Sequence, residues 1–213
     1  MRKLEIIAIT VSVNYSDLLD IIIPENYKFF KKWYIITEQT DSNTLAIINK
    51  YNCSNIELVF YNFKNNNKIF DKGGGIKYVQ SEFIKDNDLV ILLDSDIILP
   101  HNFNEIVNTI PINLNTLYGA KGRYDYYTME HLSNNIIDNK ENNDSVFIIG
   151  YFQLYIHSSH ILYSNSENCA ICDLEFNHYF AKKKHIDNLY VKHLGKGGIN
   201  WNGRKSDPFT QIK

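Results

Sequence analysis

Apolar runs, separated by stretches of helical period, organise the first hundred positions. Leu4 to Val13 is apolar and β-branched. Trp33 to Thr37 and Ile56 to Tyr61 have the same character, and Leu89 to Leu93 is an unbroken run of five. Short runs without polar alternation are expected of strands buried on both faces. Between them the period lengthens. Ser16 stands as the N-cap of a helix carrying Leu18, Leu19 and Ile22 and ending near Pro24, which has no N–H to continue it. Asp41 or Ser42 caps a second helix with Leu45, Ile48 and Tyr51 on one face, and Gly73-Gly74-Gly75 opens a third with Val79 and Phe83. Strands alternating with helices predict an α/β fold with a mostly parallel central sheet flanked by helices.

Beyond residue 100 this alternation fails. Leu117 to Ala120, Val146 to Ile156 and Leu189 to Leu194 are the expected strands, and Asp173 to Lys183 is the one clear helix. A mixed or antiparallel half built onto the same sheet follows. No repeat and no Pro/Ser-rich linker divides the halves, so 213 residues are expected to form one domain. The Asn-rich stretch Asn134 to Asn143 is the candidate for a mobile loop or lid.

The run Leu89 to Leu93 ends in Asp94-Ser95-Asp96, and apolar residues resume at Ile97. Ionised groups at the edge of a core are costly unless paired. Two carboxylates two residues apart point the same way when extended and can share a divalent cation. A solvated turn is the simpler reading of D-x-D alone. Ligands of parallel sheets bind beyond the carboxyl ends of the strands. Val13-Asn14-Tyr15 and Thr37-Glu38 end two neighbouring strands, so several polar segments converge on one crevice.

Composition changes the picture little. With 44% hydrophobic and 22% charged residues the chain is ordinary for a globular protein. A formal charge of −2 gives no reason to expect nucleic acid or anionic membranes as partners. The apolar stretch from Val146 to Ile156 is too short to span a bilayer. Three cysteines give no disulfide framework, and Met1-Arg2-Lys3 leads into a strand without a cleavage site, so a cytoplasmic location is expected. Cys169 and Cys172 form a C-x-x-C without a second ligand pair at zinc spacing, and two reduced thiols are the expected reading. Lys182-Lys183-Lys184 reads as a solvated helix end, and His157 and His160 as residues at a strand end.

The order of elements resembles the nucleotide-sugar-dependent glycosyltransferases of GT-A, Rossmann-like fold, in which a D-x-D ends a central strand. "VSVNYSD" resembles their first strand and nucleotide loop, and "DKGGGIKY" the Gly-rich helix start beside the nucleoside. "IIGYFQLYIHS" resembles the acceptor-side strand. "CDLEF" resembles the acidic E-D-x-E-F motif with Cys172 where Glu is commoner, and "HLGKGGINWNGR" the closing segment. Within the family the nearest resemblance is to small catalytic domains encoded by large DNA viruses such as the chlorella viruses, which would place the protein in a host cytoplasm.

The resemblance implies a nucleotide-binding half, 1–100, and an acceptor-binding and closing half, 101–213. It implies inverting transfer from a UDP-sugar (glucose or another hexose or deoxyhexose) to a hydroxyl of a glycan or glycoprotein. Asp94, Asp96 and His193 would hold Mn²⁺ or Mg²⁺, and one imidazole among oxygens suits manganese better. Asp173 would be the general base, with Glu175 orienting the acceptor. As first-turn carboxylates both could equally cap their helix. Val13, Tyr15, Thr37, Glu38, Lys72, Gly73, Lys77, Asp94, Ser95, Lys196 and Arg204 would contact the donor, although a surface role for Arg204 is nearly as well supported. Trp201 belongs to the same closing segment. Two rival readings are a nucleotidyltransferase, whose basic Gly-rich signature is absent from "TVSVNYSD", and a non-catalytic sugar-nucleotide or glycan-binding module.

Overall fold

Four of the apolar runs become strands that pair side by side. In the computed structural model, which describes residues 4–64, 70–164, 169–198, 204 and 209, these are β1 (Ile6–Val11), β2 (Lys32–Thr37), β3 (Ile56–Phe60) and β4 (Leu89–Leu93). They are parallel in the order β3-β2-β1-β4. Alternate residues serve opposite faces. Leu89, Ile91 and Leu93 join one core cluster, with Leu18, Leu19, Ile22 and Ile23 of α1 (Ser16–Asn26). Val90 and Leu92 join the other, with Ile76 and Val79 of α3 (Lys72–Phe83). A strand clothed on both sides needs no polar positions, which is why Leu89 to Leu93 is unbroken. Between β2 and β3 runs α2 (Ser42–Tyr51), capped by Asp41, whose carboxylate accepts the Thr44 N–H.

Several boundaries differ from expectation. Tyr15, not Ser16, occupies the N-cap of α1, and the helix continues through Pro24 to Asn26. Proline supplies no N–H for the Asp20 carbonyl one turn back. The Tyr51 hydroxyl from α2 donates to that carbonyl at 2.6 Å, so the missing bond is replaced from outside. The third helix begins at Lys72 with Asp71 as cap, one residue before the glycines.

The second half extends the sheet with mixed polarity. It contains β5 (Ile97–Ile98), β6 (Thr116–Tyr126), β7 (Asn139–Asn142), β8 (Phe152–Ile156) and β9 (Lys182–Leu194), with short helices α4 (Phe103–Asn108) and α5 (Met129–Ser133) between them. The order runs on from β4 as β8-β6-β9-β5, with β7 on β6; β8 is antiparallel to β4 and to β6, while β6 and β9 are parallel. The expected helix from Asp173 to Lys183 is α6 (Cys169–Asn177), and Lys182 to Lys184 open a strand and not a helix end. Of the run Val146 to Ile156 only its last five residues are strand. Asn139 to Asn142, within the stretch expected as a lid, pair as β7.

Candidate active site

Strand ends and their loops enclose a cavity of about 390 Å³. Asp94, Ser95 and Asp96 line it where β4 stops, Val13 and Tyr15 where β1 stops, and Lys72 from the first turn of α3. Asp173 enters from α6, His193 from β9 and Lys196 from the segment that follows. These nine are the expected residues that the fold brings together.

The segment 94–96 is fixed by long-range bonds. Asn26, buried at the end of α1, donates from Nδ2 to the Ile97 carbonyl at 2.7 Å and accepts the Leu99 N–H at 2.9 Å. β5 then pairs with β9 so that Ile97 faces His193, and the Leu194 N–H donates to the Asp96 carbonyl at 2.8 Å. This register sets His193 beside Asp96. Its Nε2 lies 3.5 Å from Asp96 Oδ2, and its Nδ1 lies 3.0 Å from Asp125 Oδ1 on β6. Asp125 is paired in turn with Arg123 Nε at 3.0 Å, a charge contact without hydrogen-bond geometry, and Arg123 Nη2 meets Glu141 of β7 at 2.6 Å. Charges therefore alternate in sign from Asp96 to Glu141.

Burial works to lower the His193 pKa, but Asp96 and Asp125 outweigh it and bring the imidazole up to about 9. Burial would raise Asp125, yet His193, Asn139 and Arg123 hold it below the usual carboxylate range. Enclosure pushes Asp94 up to about 6, Lys72 drawing it down while Asp96 and Asp173 push it further up. Its side chain keeps 35% exposure, which opens onto the cavity that it lines.

Among the described residues no cluster of three or more His, Cys, Asp or Glu is drawn up as a ready-made metal centre. Of the three proposed ligands, Asp94 has its Oδ1 on Lys72 Nζ at 3.0 Å. Asp96 is different. Its Oδ1 is buried with no hydrogen-bond partner, an expensive state for a carboxylate. His193, with Nδ1 committed to Asp125, presents Nε2 on the same side, the usual way of orienting a metal-binding imidazole. Asp96 and His193 thus fit a divalent cation, with Asp94 as a neighbour.

Lys72 also reaches Asp173, at 3.5 Å, so one ammonium joins the carboxylates of β4 and α6. Asp173 accepts a 2.6 Å hydrogen bond from the buried Tyr163 hydroxyl. It rests against Gly150, where an added Cβ would come within 1.7 Å of Asp173 Oδ2. Only glycine leaves room for that carboxylate.

Other expected residues lie elsewhere. Thr37 is buried and donates to Asp41 Oδ2, the atom that also accepts the Asn14 N–H, while Glu38 does not line the cavity. Gly73 packs on the backbone of Ser164, an added Cβ falling 1.9 Å from its carbonyl oxygen, and the neighbouring glycines crowd Asp71 and Phe63. The glycines thus admit protein neighbours. Lys77 is exposed. Glu175 is exposed too and accepts from the Ser164 hydroxyl. Arg204 pairs with Asp17 and stacks on the Tyr15 ring at 4.9 Å, bracing a lining residue without lining the cavity itself. Cys172 is buried, its Sγ 3.8 Å from Asp173 Oδ1; the Cys169 side chain and Trp201 fall outside the described residues.

Sequence reasoning missed Arg123, Ser145 and Phe147, which line the cavity, and read Ile148 to Tyr151, which line it too, only as part of an acceptor-side strand. Arg123 and Asp125 are spaced two apart on one strand and so share a face. That signal was present in the sequence, but the strand was expected to end at Ala120.

No protein-family model matches the sequence, and no curated protein matches it. The fold is similar to the inositol-1-phosphate CTP transferase from T. maritima, with a TM-score of 0.53 and 8% identity over 92% of this chain and 91% of that one. It is similar to the 4-diphosphocytidyl-2C-methyl-D-erythritol synthase from Anaerococcus prevotii, with a TM-score of 0.50 and 15% identity over 92% and 88% of the two chains. For HddC from Yersinia pseudotuberculosis the TM-score is 0.50, with 9% identity over 89% and 90%. Identities this low speak to fold alone. The chain is an α/β protein whose mixed central sheet is flanked by helices in a GT-A-like, Rossmann-like arrangement.

Proposed function

We propose that the protein is an inverting glycosyltransferase that moves a hexose from a UDP-sugar to an acceptor hydroxyl. The observation that carries this reading is Asp173. It is a carboxylate on its own element, separate from the Asp94/Asp96 pair, facing the same cavity and linked to Asp94 through Lys72. A hydroxyl nucleophile must lose a proton as it attacks, and a positioned carboxylate can take it. Transfer of a nucleotidyl group to a phosphate needs no such base, because the attacking phosphate is already ionised.

The division of labour follows. Asp96 and His193, with Asp94 beside them, would hold Mn²⁺, which when bound supplies Lewis-acid neutralisation of the leaving diphosphate. Lys72 holds the Asp94 and Asp173 carboxylates in a fixed relation. Lys196, with Gly195 and Gly198 at φ of 106° and 80°, stands on a bent segment at the cavity edge, within reach of a phosphate. Asp173 accepts the acceptor proton as the anomeric carbon passes through an oxocarbenium-like state.

The fold likeness to a CTP transferase favours a second reading, nucleotidyl transfer to a sugar phosphate. Product analysis separates the two. Incubation with UDP-hexoses and Mn²⁺ is expected to release UDP. Release of pyrophosphate from CTP or UTP with a sugar phosphate, and no UDP from any UDP-hexose, would replace the first reading by the second.

A further inference from the structure

The segment 146–150 reads as core in sequence and is core only in part in the fold. Ile148 is buried, but Val146 is 80% exposed and Phe147 and Ile149 are also exposed. On α6, Leu174 is 48% exposed beside Asp173. Phe147, Ile149 and Leu174 line the cavity as well, so the apolar surface continues from its wall onto its rim. The rim is built rigidly. Buried Asn177 accepts the Ile148 N–H at 2.7 Å and donates to the Ile148 carbonyl at 2.9 Å, clamping the segment to α6. Apolar side chains gathered at the mouth of a polar site mark what the site binds.

We propose that this rim holds an apolar aglycone carried by the acceptor, close to the hydroxyl that Asp173 deprotonates. The proposal rests on the reading of Asp173 as the base. A bilayer fits the surface less well. Asp144 and Glu175, close in the chain to the rim residues, carry exposed carboxylates, and Phe147, Ile149 and Leu174 line the cavity itself. An amphiphilic acceptor uses both features, its polar end reaching Asp173 and its apolar end covering Phe147, Ile149 and Leu174.

The test compares octyl β-D-glucoside, below its micelle concentration, with methyl β-D-glucoside by saturation-transfer NMR and titration. Burial of two methylenes already corresponds to about tenfold in affinity. The octyl glycoside is expected to bind at least about tenfold more tightly, with the strongest transfer to its alkyl protons. The variant I149S/L174S, altered at two exposed rim positions, is expected to lose that advantage. Equal binding of the two glycosides, or an advantage that persists in the variant, would overturn the proposal. So would flotation with neutral phosphatidylcholine vesicles without discrimination between the glycosides. Binding is read without donor or turnover. Failure of UDP-sugar transfer would therefore fall on the transferase reading alone, and transfer without aglycone preference on the rim alone.

Discussion

An imidazole can hold a cation only if its ring is turned the right way, and Asp125 turns His193. Its carboxylate fixes Nδ1 at 3.0 Å and leaves Nε2 toward Asp96. Asp125→Asn should lower Mn²⁺ affinity about 10- to 100-fold, the scale typical of outer-shell partners. Calorimetry with Mn²⁺ alone checks this, and unchanged affinity would separate Asp125 from the cation. A second residue carries a pH dependence. His157 is buried with Nδ1 unpartnered, and burial lowers its pKa against the upward pull of Asp86 and Asp88. The unfolded chain therefore takes up a proton at higher pH than the folded one. Stability is full above about 6.5, falls as the pH drops through that value, and levels off below the folded pKa. His157→Gln should flatten the change in urea midpoint between about pH 7 and 5. An equally steep loss would assign it to other groups. At this scale the sequence was half legible: the spacing of Asp94 and Asp96 advertised a site, whereas the partner of His193 lies 68 positions away and depends on strand register.

Elements were legible where one physical cause dominated. β4 matches its apolar run because it is covered on both faces, and α2 starts at Asp41 because a carboxylate there satisfies a free N–H. Misreadings have causes as specific. β9 is interrupted at Asp187 and Asn188, where a register shift against β6 and a left-handed Asn188 (φ 64°) break the alternation, so only its second part reads as strand. Phe147 and Ile149 are apolar at the cavity mouth while Ile148 between them is core, and apolar character alone does not separate the two uses. α1 outlasts Pro24 because Tyr51 supplies the missing donor, and its last residue then pins the loop beyond Asp96. Asn26→Leu should cost about 2 kcal/mol or more, since it strands the Ile97 carbonyl and the Leu99 N–H. Urea unfolding measures this; a loss below about 0.5 kcal/mol, the scale of an ordinary surface change, would deny Asn26 that function.

For the whole molecule, the alternation of strands and helices was enough to give the α/β class and to direct attention to the carboxyl ends of the strands. Sheet order was not legible. The insertion of β8 beside β4 and the parallel pairing of β6 with β9 bring residues from opposite ends of the chain into one cavity. The account centres on Asp173 as the base of a single displacement in that cavity. The direct measurement is time-resolved proton NMR of UDP-hexoses of α configuration, with Mg²⁺ in place of paramagnetic Mn²⁺, for the wild type and Asp173→Asn. The account predicts a β-anomer as the first product of the wild type, and a rate at least about 10²-fold lower in the variant with UDP affinity unchanged. An α-anomer as first product, or near-normal turnover by Asp173→Asn, would contradict it.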